Sequence, residues 1–219
     1  ALKGCSKLKE IHVPPSVESI GDNCFEDCTN LTDVSIPFSI KYLSNCLLRN
    51  CSSLAVLSIP DSINSIGNCT FEGCIALKSI SMSKHVVQIG CFAFHGCTEL
   101  DTITIPRSVN SIGEGAFEDC TSLAKIIIPF SVTNIEDSLF KGCKKLKEVT
   151  IENGVTKIGN CVFENCEILD KIIIPCSIAS IGHSTFKGCP LLKEISMPSS
   201  LTSIGLDSFE GCVELTING

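Results

Sequence analysis

The sequence is poor in large aromatic side chains. Its 219 residues include no tryptophan and one tyrosine, and aromatic residues make up 5% although hydrophobic residues reach 44%. A globular domain of this size usually fills much of its core with large rings, which bury the most apolar area per residue. A core supplied by isoleucine, leucine, valine and a recurrent phenylalanine therefore indicates a layered, repetitive interior.

An excess of positive charge and long apolar segments are absent as well. The formal net charge is −7, whereas nucleic acids and anionic membranes bind clustered lysine and arginine. We therefore expect neither as a partner. No apolar run approaches the roughly 18 residues of a membrane-spanning helix, so we expect no insertion of this segment into a membrane.

Cysteine, by contrast, is abundant, and its spacing shows a repeat. Ten of the 16 cysteines recur every 23 residues: Cys5, Cys28, Cys51, Cys74, Cys97, Cys120, Cys143, Cys166, Cys189 and Cys212. A leucine follows each of these ladder cysteines by three residues, and a phenylalanine precedes them by three in eight of nine coils. Such a period indicates a solenoid, because stacked coils bury the apolar faces that one coil cannot bury alone. We expect residues 1–219 to form one solenoid of about nine and a half coils, a fragment of a longer array.

The order of residues within the period predicts the shape of one coil. Alternating apolar residues, as in Ile103 and Ile105, favour a short strand. The proline that follows in most coils ends this strand because it has no N–H to donate. A second extended segment ends at a glycine, as in Ile112-Gly113, and the Phe-x-x-Cys-x-x-Leu segment has the spacing of a short helical turn. The predicted class is an α/β solenoid with a parallel concave sheet and short turns or helices on the convex side.

The whole chain carries the pattern Leu-x-x-Ile-x-Ile-Pro-x-Ser-Val-x-x-Ile-Gly-x-x-x-Phe-x-x-Cys. This pattern resembles the BspA-like, Treponema-type leucine-rich repeat. The resemblance implies a non-enzymatic, protein-binding segment of a cell-surface adhesin, located at the cell surface or outside the cell, with a host matrix or cell-surface protein as partner. It implies no catalytic residue and no cofactor. An intracellular scaffold or substrate-recruiting module in the cytoplasm stays open as the alternative, and the many thiols favour it.

The cysteines allow three interpretations: disulfides, metal ligands or buried thiols. Free cysteine packs as a small hydrophobe, so we expect the ladder cysteines to be buried thiols. We also expect free thiols at the six other positions, although disulfides there stay open. Cys91, His95 and Cys97 are three potential metal ligands, but the family pattern turns Cys97 inward and His95 outward. We therefore expect no metal site.

The residue after the recurrent phenylalanine position alternates in charge. The row reads Lys3, Glu26, Arg49, Glu72, His95, Glu118, Lys141, Glu164, Lys187 and Glu210. Stacked coils would place these side chains about 5 Å apart, and each exposed pair of opposite charges contributes about 0.2–1 kcal/mol. The row predicts a structural charge ladder rather than a binding site.

A candidate binding surface lies where apolar residues interrupt a polar pattern. The outward strand position is polar in most coils but is Ile127 and Ile173 in two of them. After the strand-ending proline, three coils carry Phe38, Phe130 and Cys176. Contiguous exposed apolar residues often mark an interface, so we predict that these five residues contact a protein partner. The alternative is that a duplication copied a harmless apolar pair.

Overall fold

The chain winds into a solenoid of short parallel strands. The computed structural model describes residues 1–218, the last two by their backbone only. In chain order the strands are β1 (Glu10–His12), β2 (Asp33–Ser35), β3 (Tyr42–Leu43), β4 (Val56–Ser58), β5 (Ser65–Ile66), β6 (Ser79–Ser81), β7 (Gln88–Ile89), β8 (Ser111–Ile112), β9 (Lys125–Ile128), β10 (Asn134–Ile135), β11 (Glu148–Ile151), β12 (Lys157–Ile158), β13 (Lys171–Ile173), β14 (Ser180–Ile181), β15 (Glu194–Ser196), β16 (Ser203–Ile204) and β17 (Thr216–Asn218).

These strands form two stacks, one on each side of the coil. The main sheet, which is the sheet predicted from the sequence, contains β1, β2, β4, β6, β9, β11, β13, β15 and β17. The second sheet contains the two-residue strands β3, β5, β7, β8, β10, β12, β14 and β16. All strand pairing is parallel, and in every pair but the last it joins residues 23 apart, as in Ile126 with Val149. The last pair, Glu194 with Thr216, is offset by 22 residues because the final coil is one residue short.

Of the two alternatives predicted for the convex side, short turns are observed, whereas the helices, and with them the α/β class, are wrong. Among the described residues the convex segment forms tight turns and no helix. The turns hold two left-handed residues four positions apart, such as Cys161 (φ 54) and Asn165 (φ 61). A right-handed helix needs negative φ throughout, so the three residues between them cannot extend into one. The turn closes instead through the N–H of Cys166, which donates to the carbonyl oxygen of Phe163 at 3.1 Å.

The interior is built from continuous columns of identical side chains. Seven phenylalanine rings, from Phe71 to Phe209, stack with successive centroids 5.1 to 5.7 Å apart. Beside them, eight of the ladder cysteines are buried. Their thiols also donate hydrogen bonds, as from Cys120 Sγ to the carbonyl oxygen of Phe94 at 3.2 Å. The prediction of buried ladder thiols is confirmed for these eight, whereas Cys5 is exposed and Cys212 is half-buried. Each buried thiol adds a link between adjacent coils.

A glycine decides whether the second sheet is continuous. Six coils carry a glycine after the second strand, and its N–H donates to the preceding coil at 2.8–2.9 Å: Gly67, Gly90, Gly113, Gly159, Gly182 and Gly205. A Cβ at Gly182 would lie 2.4 Å from the carbonyl carbon of Gly159, so a larger residue would push the coils apart. Glu136 occupies the equivalent position after β10, and within residues 1–218 β8 and β10 are not paired with each other. Ser44 likewise follows β3, which has no partner in the coil before it.

The main sheet is interrupted in the same region. Thr102–Ile105 alternates in burial like its neighbours but forms no strand among the described residues, so the strand expected around Ile103 and Ile105 is absent. Its four N–H groups make no backbone hydrogen bond within the described chain. Both sheets are therefore broken between the coil of Thr102–Ile105 and the coil of β9, whereas the column of phenylalanines continues through this junction.

Candidate functional site

Ile127 and Ile173 lie on the same exposed face of the main sheet. Their side chains are 57% and 63% exposed. Thr150 of β11 pairs with Ile127 on one side and with Ile173 on the other. The two isoleucines are therefore one polar row apart, about 10 Å across the sheet, and they are brought to one surface without touching.

Phe130 and Cys176 lie at the rim of this face. One coil separates them, so they do not touch. Asn153 lies between them, and Cys176 Sγ is 3.9 Å from its Oδ1 atom. Phe130 is 52% exposed. Phe38 is 70% exposed but occupies the same position four coils earlier, about 19 Å away. The structure groups four of the predicted residues and leaves Phe38 apart, and their role in binding stays a prediction.

Two charged residues that the sequence did not indicate hold Phe130 in place. Glu152 stands where most coils have the strand-ending proline, and its Oε2 atom accepts the N–H of Phe130 at 3.0 Å. Its Oε1 atom is 3.1 Å from the Arg107 guanidinium, whose Cζ atom lies 5.9 Å from the centre of the Phe130 ring. Such a position over an aromatic face is attractive. The only sign of this arrangement in the sequence is that position 152 carries glutamate where most coils carry proline.

A groove adjoins this brace on the main sheet. A hollow of about 590 Å³ is lined by residues that include Thr104, Lys125, Ile127 and Arg107. A second hollow of about 310 Å³ is lined by residues that include Ile173. The two hollows share Glu148 and Thr150, so they form one groove across the strands. Its mixture of hydroxyls, both charges and two exposed isoleucines suits a polypeptide surface.

Two of the three potential metal ligands, Cys97 and His95, have different surroundings. The buried Cys97 thiol donates to the carbonyl oxygen of Phe71 at 3.2 Å. The His95 side chain is partly exposed, but its Nδ1 atom is buried and lies 3.9 Å from the Glu118 carboxylate. Across residues 1–218 no three His, Cys, Asp or Glu side chains are grouped to hold a metal ion.

The predicted charge ladder is present along most of the convex turns, although within residues 1–218 no ion pair joins Glu72 to His95 or Glu164 to Lys187. Arg49 lies between two carboxylates, 3.6 Å from Glu26 and 3.1 Å from Glu72. Lys141 lies 3.6 Å from Glu118 and 3.9 Å from Glu164. Lys3–Glu26 and Lys187–Glu210 close to 2.6 Å. The row joins coils to one another and takes no part in the groove.

Comparison with known proteins agrees with this architecture. The model of the BspA type leucine-rich repeat region, with six copies, matches residues 1–124 and 110–218. No curated protein gives a match. No described residue belongs to a helix that could span a membrane.

Three solved structures show how far the similarity extends. A leucine-rich repeat protein from Bacteroides ovatus is 31% identical with a TM-score of 0.76, over 94% of this chain and 59% of its own length. The T. pallidum leucine-rich repeat protein is also 31% identical, with a TM-score of 0.69, over 74% of this chain and 78% of its own. A leucine-rich cell surface protein from Faecalibacterium prausnitzii is 27% identical with a TM-score of 0.56, over 99% and 74%.

The present chain thus spans 59% of the length of the Bacteroides ovatus protein. The family model covers both halves of the solenoid, and the 23-residue ladder of cysteine, leucine and phenylalanine runs through every matched segment. The chain belongs to the BspA-type leucine-rich repeat family.

Proposed function

We propose that this solenoid is a non-enzymatic, protein-binding segment of a cell-surface adhesin that contacts a host matrix or cell-surface protein. The observation that carries the proposal is the exposure of Ile127 and Phe130 beside the groove on a mostly polar face. Large apolar side chains in such a setting are typical of the centre of a protein interface, with the polar residues as its rim.

The brace on Phe130 strengthens this interpretation. Binding costs free energy for each side chain that must be immobilised. Arg107 and Glu152 already restrict the Phe130 backbone and ring before any partner arrives, which reduces that cost. The proposed interface therefore has a preorganised aromatic residue at its edge and the two isoleucines along its floor.

The location at the cell surface rests on the family. One similar structure is described as a leucine-rich cell surface protein. A solenoid that presents a groove across several coils also offers the extended surface on which repeat proteins bind partners. Ile173 and Cys176 would lengthen the interface, and Phe38 would contact only a partner long enough to span four coils.

The experiment is a binding assay with a double variant. Phe130→Ser with Ile127→Thr should weaken adhesion to immobilised host matrix extract and to epithelial cells without lowering the thermal midpoint. Ile75→Thr with Leu191→Ser removes two exposed apolar side chains elsewhere and should leave adhesion unchanged. Equal adhesion by the unaltered protein and the first variant would contradict the proposal.

The alternative, an intracellular scaffold or substrate-recruiting module, is favoured by the 16 free thiols. Most ladder thiols are buried, however, and buried thiols stay reduced in either compartment because no oxidant reaches them. Thiol titration of the protein isolated from its source, before and after denaturation, distinguishes the two locations. Fewer than 16 titratable thiols after denaturation would support the surface.

A further inference from the structure

Cys46 and Cys69 occupy the same position in two adjacent coils. Each begins a convex turn in the left-handed conformation, with φ values of 53° and 54°. The N–H of Cys46 donates to the carbonyl oxygen of Asn68, the residue just before Cys69, at 2.8 Å. Stacked parallel backbones place their Cα atoms about 5 Å apart, and a disulfide needs roughly 4.4–6.8 Å.

Both cysteines lie at a surface that solvent reaches, because both side chains are half-buried. The neighbouring Cys46 thiol is one of the groups that raise the pKa of Cys69. Elsewhere this position carries Asn23, Phe92, Gly115, Ser138, Cys161, Ser184 and Asp207. No other neighbouring coils place two thiols here. The ladder cysteines are stacked too, but those that are buried have no access to an oxidant.

We propose that Cys46 and Cys69 form a redox pair, which a small disulfide such as oxidised glutathione converts into a disulfide between two coils. The Cys46 thiolate attacks one sulfur of the small disulfide, and one small thiolate leaves. The Cys69 thiolate then attacks the Cys46 sulfur and expels the second small thiolate. Two cysteine thiols are oxidised, one disulfide is reduced to two small thiols, and the two protons pass to these leaving groups.

The surroundings of Cys69 set the order of the two steps. Burial, together with the nearby Glu72 carboxylate, raises the pKa of Cys69 to about 12. Its thiolate is therefore scarce at neutral pH, so Cys69 reacts second and its step limits the rate. Below that pKa the thiolate fraction grows about tenfold per pH unit, and closure of the pair should accelerate accordingly.

The bond would join two coils whose main-sheet strands are not paired to each other. Among the described residues β2 pairs only with β1, and β4 pairs only with β6. The new link lies on the opposite, convex side of that junction. Oxidation would therefore fasten a place where the solenoid lacks main-sheet hydrogen bonds.

Cys161 supplies a matched control. It stands at the same position with a φ of 54° and is half-buried, but serines replace the thiol in the coils on either side. After treatment of the native protein with oxidised glutathione and alkylation of free thiols, peptide mass spectrometry should find Cys46 joined to Cys69 with the loss of two hydrogens. Cys161 should carry glutathione or remain free.

Two variants complete the test. The inter-coil disulfide should raise the thermal midpoint, and Cys46→Ser should abolish both the disulfide and this rise. Serine at the equivalent positions 138 and 184 shows that the turn accepts this residue. Ser184→Cys places a second thiol directly beside Cys161 and should create a second inter-coil disulfide under the same treatment. Two glutathione adducts on one molecule at Cys46 and Cys69, two unreacted thiols, or a bond from Cys69 to Cys91 would each overturn the proposal.

Discussion

Glu136 is the residue whose replacement tests the stacking rule of the second sheet most directly. Glycine at this position in six other coils lets adjacent backbones approach to hydrogen-bonding distance. Glu136→Gly should therefore allow β8 and β10 to pair. Two hydrogen bonds would form, from the N–H of Thr133 to Asn110 and from the N–H of residue 136 to Ile112. Their counterparts one coil later, which include Gly159 to Ile135, are 2.8 Å long.

The expected gain follows from these two bonds. Each net hydrogen bond stabilises by about 1 kcal/mol, and glycine costs about 0.5–1 kcal/mol in backbone entropy. The free energy of unfolding should rise by about 1 kcal/mol. The reverse change, Gly182→Ala, places a Cβ 2.4 Å from the Gly159 backbone. It should cost about 2–4 kcal/mol through the loss of the same two bonds and overpacking.

The assay combines urea denaturation with amide hydrogen exchange at residues 133 and 136. Glu136→Ala is the control, because it removes the carboxylate but keeps the Cβ that separates the coils. It should leave both amides unprotected. Stabilisation by Glu136→Ala as large as that by Glu136→Gly, or fast exchange at Thr133 in the glycine variant, would refute the steric account.

Three further predictions concern the ladders and the brace. Burial raises the pKa of seven ladder thiols, from Cys51 to Cys189, well above 9. Because the folded chain then binds more protons than the unfolded chain, stability is full below pH 9 and falls as the pH rises toward 12, by about 10 kcal/mol per unit. Alkaline unfolding followed by circular dichroism and thiolate absorbance should be abrupt, and gradual loss would contradict it. Lys141→Glu puts three carboxylates in a row and should lower stability by about 0.5–1 kcal/mol, less in high salt, whereas Lys141→Gln should cost less in the same urea titration. Glu152→Gln should speed amide exchange at Phe130 and weaken adhesion, and unchanged exchange would show that the brace does not restrain Phe130.

The periodic part of the fold was readable from the sequence because identical coils must repeat identical contacts. The 23-residue ladder predicted the main sheet, the buried thiols and the charge ladder. The absence of helices could also have been predicted, not from the spacing but from the type of residue before each ladder cysteine. The residue before each ladder cysteine is always glycine, asparagine or aspartate, the types that best tolerate the left-handed conformation found at that position.

The aperiodic part was harder to predict. Exposure of Ile127 and Phe130 followed from the pattern, but the brace joins Arg107 to Glu152 across 45 residues and depends on the reach of two side chains. Thr102–Ile105 line part of the groove and form no strand, although alternating threonine and isoleucine favour one. No local feature of the sequence explains that loss.

The junction beside Glu136 has a mechanical consequence. There the two sheets contribute no strand pairing in the described chain, while the convex turns remain joined, as by the N–H of Phe117 to Leu139 at 3.1 Å. Force along the solenoid axis should open this junction before any other. The coils before it and the coils after it would then rotate as two rigid units about the intact convex side. A solenoid built this way would yield once, at a defined place next to its groove, instead of unfolding coil by coil under load.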